Sequence, residues 1–124
     1  MRDTAKIVAF IPTRDAAQAR AFYETTLELR VVSEDGFATV FDCNGTMLRV
    51  VNAPPFTPLP FTVLGWDVGG IEEEVKTLQG RGVKFERFPG MPQDELGVWS
   101  APGGAKVAWF KDPDGNLLSL SQHG

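Results

Sequence analysis

A short apolar run from Lys6 to Pro12 predicts a strand, after which the period changes. Ala19, Phe22, Tyr23, Thr26 and Leu27 recur at helical spacing and form one stripe able to pack on a sheet. Asp15 stands just before them, where an N-cap accepts hydrogen bonds from free helix N–H groups. Strand character returns over Leu29 to Ser33. Asp35-Gly36 and Asn44-Gly45 are dipeptides suited to tight hairpin turns with positive φ, so three antiparallel strands follow and the order to about Asn52 is βαβββ.

The connector Ala53 to Pro60 carries Pro54, Pro55, Pro58 and Pro60, which cannot donate to a ladder. The pattern then restarts. Thr62 to Val68 predicts a strand, and Ile71, Val75 and Leu78 line a helix that opens on Glu72, Glu73 and Glu74 and ends at Gly82. A short strand near Val83 to Arg87, a long loop, and strands near Lys106 to Lys111 and Asn116 to Gln122 complete a second βαβββ, with Asp112-Pro113-Asp114-Gly115 as a type I turn. The halves align through their turns, Cys43 to Val50 on Pro113 to Leu120, which places Arg49 on Ser119, Val8 on Val63 and Phe10 on Gly65. The expected class is α+β in a single domain over residues 1–124, with module one at about 5–52, a linker at 53–61 and module two at about 62–122.

Composition narrows the function. A chain of 124 residues that is 43% apolar and 23% charged has ordinary globular values and needs no disulfide or metal to fold. No apolar run reaches bilayer length, so no membrane partner is expected. Met1 to Lys6 lead directly into the first strand without an apolar stretch, so no export signal is expected and the cytoplasm is the expected location. Cys43 is alone and cannot form an internal disulfide. The net charge of −4, with no cluster of Lys and Arg, argues against nucleic acid as a partner.

The segment Val107-Ala108-Trp109-Phe110-Lys111-Asp112-Pro113-Asp114-Gly115-Asn116-Leu117-Leu118 resembles the final hairpin of the vicinal oxygen chelate family. Ile11-Pro12-Thr13-Arg14-Asp15, followed by Ala21-Phe22-Tyr23, supports the likeness. That family includes glyoxalase I, ring-cleaving dioxygenases, and fosfomycin and bleomycin resistance proteins. The resemblance implies two βαβββ modules forming an open, cupped barrel around a cleft, commonly completed by a second subunit, so a homodimer is expected. In metal-dependent members the first and fourth strands of each module hold a divalent ion. Here those positions fall on Val8, Val63, Arg49 and Ser119. Neither valine can ligate and a fixed cation at Arg49 would repel a metal, so no metal and no cofactor are expected. His123, the one histidine, and Cys43, in a turn, are poor ligand candidates, while a carboxylate-only Mg²⁺ site stays chemically open.

Strand alternation assigns the faces. With Ile7, Ala9 and Ile11 under the helices, Val8 and Phe10 face the cleft, as do Val63, Gly65 and Asp67, then Arg49, Ser119 and Ser121. Ala38, Val40, Ala108 and Phe110 suit the core, which sends Thr39 and Trp109 to the cleft. The candidate ligand-binding residues are thus Val8, Phe10, Thr39, Arg49, Val63, Asp67, Trp109, Ser119 and Ser121. Arg49 would anchor an anionic or carbonyl group while Phe10 and Trp109 stack on an aromatic portion; the alternative is an Arg49 paired with Asp67 or turned to solvent. The Phe88 to Trp99 loop reads as a lid, a dimer contact or plain surface.

Two functions remain. The first is a metal-independent binding protein for a small organic ligand, sequestering an antibiotic or another organic metabolite. The alternative is a lyase, isomerase or dioxygenase-like enzyme with a non-standard or absent metal site, or acid/base chemistry at Asp67, for which the sequence shows no partner.

Overall fold

The first apolar run forms strand β1 (Val8–Thr13), and the helix after it is short. Asp15 caps α1 (Ala16–Ala21) by accepting from the Gln18 N–H at 3.1 Å, and its own N–H donates to the Thr13 hydroxyl. Phe22–Thr26 continue as a π-helical turn closed by the Leu27 N–H on the Phe22 carbonyl. Of the predicted stripe Ala19 and Tyr23 are buried, the Tyr23 ring 5.9 Å from that of Phe41, while Phe22, Thr26 and Leu27 are partly exposed. Then come β2 (Arg30–Glu34), β3 (Ala38–Cys43) and β4 (Thr46–Asn52). The sheet order is β1-β4-β3-β2, with β1 parallel to β4 and the other pairs antiparallel.

The pattern repeats. It gives β5 (Leu64–Asp67), α2 (Ile71–Gly80), β6 (Trp99–Ser100), β7 (Lys106–Lys111) and β8 (Leu117–Gln122), in the order β5-β8-β7-β6. Ile71, Val75 and Leu78 of α2 are buried with Ala108, Phe110, Leu118 and Leu120 of the sheet. Gly70 offers α2 no side-chain cap, and Gln122 substitutes by accepting the Ile71 N–H at 3.0 Å. At the other end Gly82 takes φ +92° while the Val83 N–H returns to the Leu78 carbonyl, which stops the helix as predicted.

The computed structural model describes all 124 residues, and they gather into two units, Met1–Thr57 and Pro58–Gly124, divided inside the proline-rich connector. Each unit is one α+β module with a four-stranded mixed sheet. Every fully buried side-chain nitrogen or oxygen has a hydrogen-bond partner.

Two local expectations differ from the structure. Val83 to Arg87 do not form a strand; Phe85 makes a single bridge to Phe110, and the regular partner of β7 is β6. The chain leaves β7 after Phe85 and rejoins it at Trp99, so the predicted strand is split by the loop between them. Gly36 does not adopt positive φ; the Asp35 carboxylate closes that turn by accepting the N–H groups of Phe37 and Ala38 at 2.7 and 3.0 Å. The two later hairpins also differ in length. Asn44 (φ +50°) and Gly45 (φ +95°) make a two-residue turn between Cys43 and Thr46. In the second unit Asp112 pairs with Asn116 around Pro113-Asp114-Gly115, one residue more.

Candidate functional site

In the first unit α1 covers the face carrying Ile11, Leu48 and Val50, and the other face presents side chains from β1, β3 and β4. Direct register aligns Phe10, Arg49 and Val40 in one row and Val8, Met47 and Asp42 in the next. Phe10 is 61% exposed, and Val8 and Met47 are exposed beside it, so this face is an apolar surface open to water. A concavity of about 270 Å³ on the same unit is lined by Val8, Val40 and Met47 together with Lys6 and the Arg30–Asp42 pair, and neither Arg49 nor Phe10 lines it.

Arg49 is one of two arginines on this face, the other being Arg30, which is tied to Asp42 at 3.1 Å. Arg49 is half-buried and makes no hydrogen bond or salt bridge within its unit. Its charge is nonetheless felt at Asp35, whose pKa is lowered first by the Phe37 and Ala38 N–H groups and then by Arg49. The guanidinium therefore holds its fork of donors unspent. A larger hollow of about 640 Å³ beside α1 lacks this property, because its Arg20 is occupied by Glu24 at 3.2 Å and Glu34 at 3.0 Å.

Thr39 does not join this face. It pairs with Val50, is 2% exposed, and donates to Glu34 Oε2 at 3.0 Å on the helix side. The cause is the turn: relative to the second hairpin the first is one residue shorter, and a one-residue slip exchanges the faces of the preceding strand. Val40 takes the place that alignment by turn glycines gives to Thr39.

In the second unit the expected alternation holds. Gly65, Ser119 and Trp109 form one row, and Asp67, Ser121, Val107 and Trp99 form the next. Val63 lies just outside β5 and donates its N–H to the Leu117 carbonyl at 3.0 Å. The Trp109 indole N–H donates to the Thr62 hydroxyl at 3.1 Å, Phe88 meets its ring edge-on at 5.3 Å, and Trp99 lies 6.2 Å away. Phe88 and Trp99 join this cluster without any signal in the hairpin pattern, since the intervening loop brings them in. Gln93 ties that loop together: its Oε1 accepts the Phe88 N–H, and its Nε2 donates to the carbonyls of Glu86 and Gly97.

Asp67 has a partner that linear reading misses. His123 Nδ1 lies 3.2 Å from Asp67 Oδ1, both groups being largely exposed. The signal was available, since His123 stands two residues past Ser121 and strand alternation carries it to the same face.

The metal positions implied by family resemblance do not fit a divalent cation. Val8 and Val63 supply hydrocarbon, Arg49 positive charge, and Ser119 one neutral hydroxyl. No three His, Cys, Asp or Glu side chains converge in a group able to hold one.

The fold class is a duplicated βαβββ chain with a parallel pair in each half, β1–β4 in the first and β5–β8 in the second. The chain belongs to the Glyoxalase/Bleomycin resistance protein/Dioxygenase superfamily, whose model matches residues 5–120. Among solved structures it is similar to a bleomycin resistance determinant encoded on the transposon Tn5, at 25% identity and TM-score 0.75, covering 96% of this chain and 98% of that one. It is similar also to TnmS3, an antibiotic binding protein from a Streptomyces species, at 22% identity and TM-score 0.75 over 100% and 99% of the two chains. A lactoylglutathione lyase from Agrobacterium tumefaciens shares the fold at 19% identity and TM-score 0.72 over 98% and 96%. No curated protein sequence matches the chain. No helix is long and apolar enough to cross a membrane.

Proposed function

We propose that this chain is a metal-independent binding protein for a small organic molecule bearing a carboxylate or carbonyl group, sequestering an antibiotic or another organic metabolite. The observation that carries the reading is Arg49: a half-buried guanidinium without an ion-pair partner in its unit, in register with exposed Phe10. Such a group gains most from a ligand oxygen that accepts its paired donors, while Phe10, Val8 and Met47 cover the ligand's apolar part. The Tn5 determinant and the Streptomyces protein, named for bleomycin resistance and antibiotic binding, lend support from outside the chain.

The test is a thermal-shift panel of aromatic carboxylates, benzoate and 2-naphthoate among them, on the native chain and on Arg49→Met. A ligand at a hundred times its Kd adds about 2.7 kcal/mol to native stability. We expect that gain to vanish in Arg49→Met while the unliganded melt stays put. Equal affinity in the two proteins would remove Arg49 from the site.

One observation favours an enzyme as the second reading. His123 Nδ1 at 3.2 Å from the Asp67 carboxylate sets an imidazole beside it, the partner that Asp67 otherwise lacks for acid/base chemistry. Turnover of a bound molecule that disappears in His123→Ala, with affinity intact, would establish it.

A further inference from the structure

The row Gly65–Ser119–Trp109 has three properties that belong together. Gly65 has no positive φ, so its backbone does not require glycine. The space above it does: a Cβ at Gly65 would collide with the Ser119 Oγ and stand 3.3 Å from the Ser119 carbonyl oxygen. The hydroxyl therefore leans across an exposed glycine. That hydroxyl makes no hydrogen bond within the chain, and since every fully buried polar side-chain atom has a partner, it is reachable from solvent.

On the other side of Ser119 stands a tryptophan already fixed in place. The Trp109 ring is held by Thr62, Phe88 and Trp99, so stacking upon it freezes few further rotamers. Its one N–H is spent on Thr62. Trp109 thus offers a ligand only its π surface, and the free hydrogen-bonding group of the row is the Ser119 hydroxyl. The row carries no charge, and the neighbouring Asp67 and His123 face each other. Gly65 and Trp109 lie two strand spacings apart, about 10 Å between backbones, and the indole extends from β7 past β8 to reach Thr62.

We propose that Gly65, Ser119 and Trp109 form a seat for a neutral, flat heteroaromatic ring. The ring stacks on Trp109, its edge lies over Gly65, and the Ser119 hydroxyl donates to a ring nitrogen or carbonyl. Gly65 is the specificity-determining position, because any side chain there fills the seat. This rests on the reading of the chain as a small-molecule binder but not on Arg49.

The probe is quinoline at pH 8, where it is neutral, compared with naphthalene, which has the same outline and no acceptor. Binding is followed by the shift of the Trp109 indole N–H signal in ¹H–¹⁵N spectra. Quinoline is expected to shift that signal saturably and to bind at least tenfold more tightly than naphthalene. Ser119→Ala should erase the difference and leave naphthalene unchanged. Gly65→Ala alone should lower the melting temperature, since its methyl group meets the hydroxyl. In Gly65→Ala/Ser119→Ala the collision is gone, so the double variant should melt like Ser119→Ala yet bind both probes at least tenfold more weakly, its methyl occupying the seat. A double variant that binds as well as Ser119→Ala, or quinoline that leaves the Trp109 signal in place, overturns the proposal. Arg49→Met should leave the quinoline titration unchanged, and loss of binding there would overturn the seat as drawn. Benzoate affinity indifferent to Arg49→Met would instead refute the Arg49 anchor alone.

Discussion

At the scale of single residues, carboxylates do much of the local work. Asp112 is 6% exposed; its Oδ1 accepts the N–H groups of Asp114 and Asn116, and its Oδ2 accepts the Asn116 amide. Asp112→Ala strands these buried donors and should cost about 3 kcal/mol, read from urea unfolding. Asp42 closes the first hairpin differently. Its pKa is lowered, first by the hydrogen bond from Arg30 and then by that from the Gly45 N–H. A depressed folded pKa means that its stabilisation is present above the ordinary aspartate pKa and fades as pH falls through the folded value. Asp42→Asn should therefore lower the melting temperature at pH 7, and native and variant proteins should converge at acid pH below that value. Turn chemistry of this kind was half legible: Asn44-Gly45 announced its positive φ, whereas Asp35-Gly36 concealed a side-chain cap behind a glycine.

At the scale of elements, turn length decides which side chains meet. The two hairpins have similar sequences around Gly45 and Gly115, and the extra residue in the second is invisible to an ungapped alignment. It sets Thr39 beside Val50 under α1 and Val40 beside Arg49. Inserting one residue into Asn44-Gly45 should drive β3 out of register and pull Phe41 from the core, a loss of about 3–5 kcal/mol. The same insertion between Ala53 and Thr57 should cost less than about 0.5 kcal/mol in the same unfolding experiment, because that stretch forms no strand. For α2 the apolar spacing sufficed, whereas α1 ends at Ala21 and its stripe passes into a π-helical turn. Ile71, Val75 and Leu78 were chosen by period and are buried, and Gly82 marked the stop.

At the scale of the whole molecule, the donor set at the family's metal positions bears on chemistry. With Val8, Arg49, Val63 and Ser119 there, Ni²⁺, Mn²⁺ and Zn²⁺ should leave the melting temperature unchanged, and metal analysis of the purified protein should find no stoichiometric ion. A bound ion would refute metal independence and put the enzyme reading ahead of the binding one. Legible in the chain alone were the order of elements, apart from the strand expected at Val83 to Arg87, the α2 stripe and the family, because those depend on periodicity, caps and a motif whose residues are contiguous. The sequence also singled out Arg49, through the repeat. Tertiary structure alone decided that Arg49 lacks an ion pair in its unit, that Asp67 meets His123 across 56 positions of sequence, and that Phe88 and Trp99 gather on Trp109. Partnership of that kind depends on strand register and loop paths, which are settled by how the whole sheet packs.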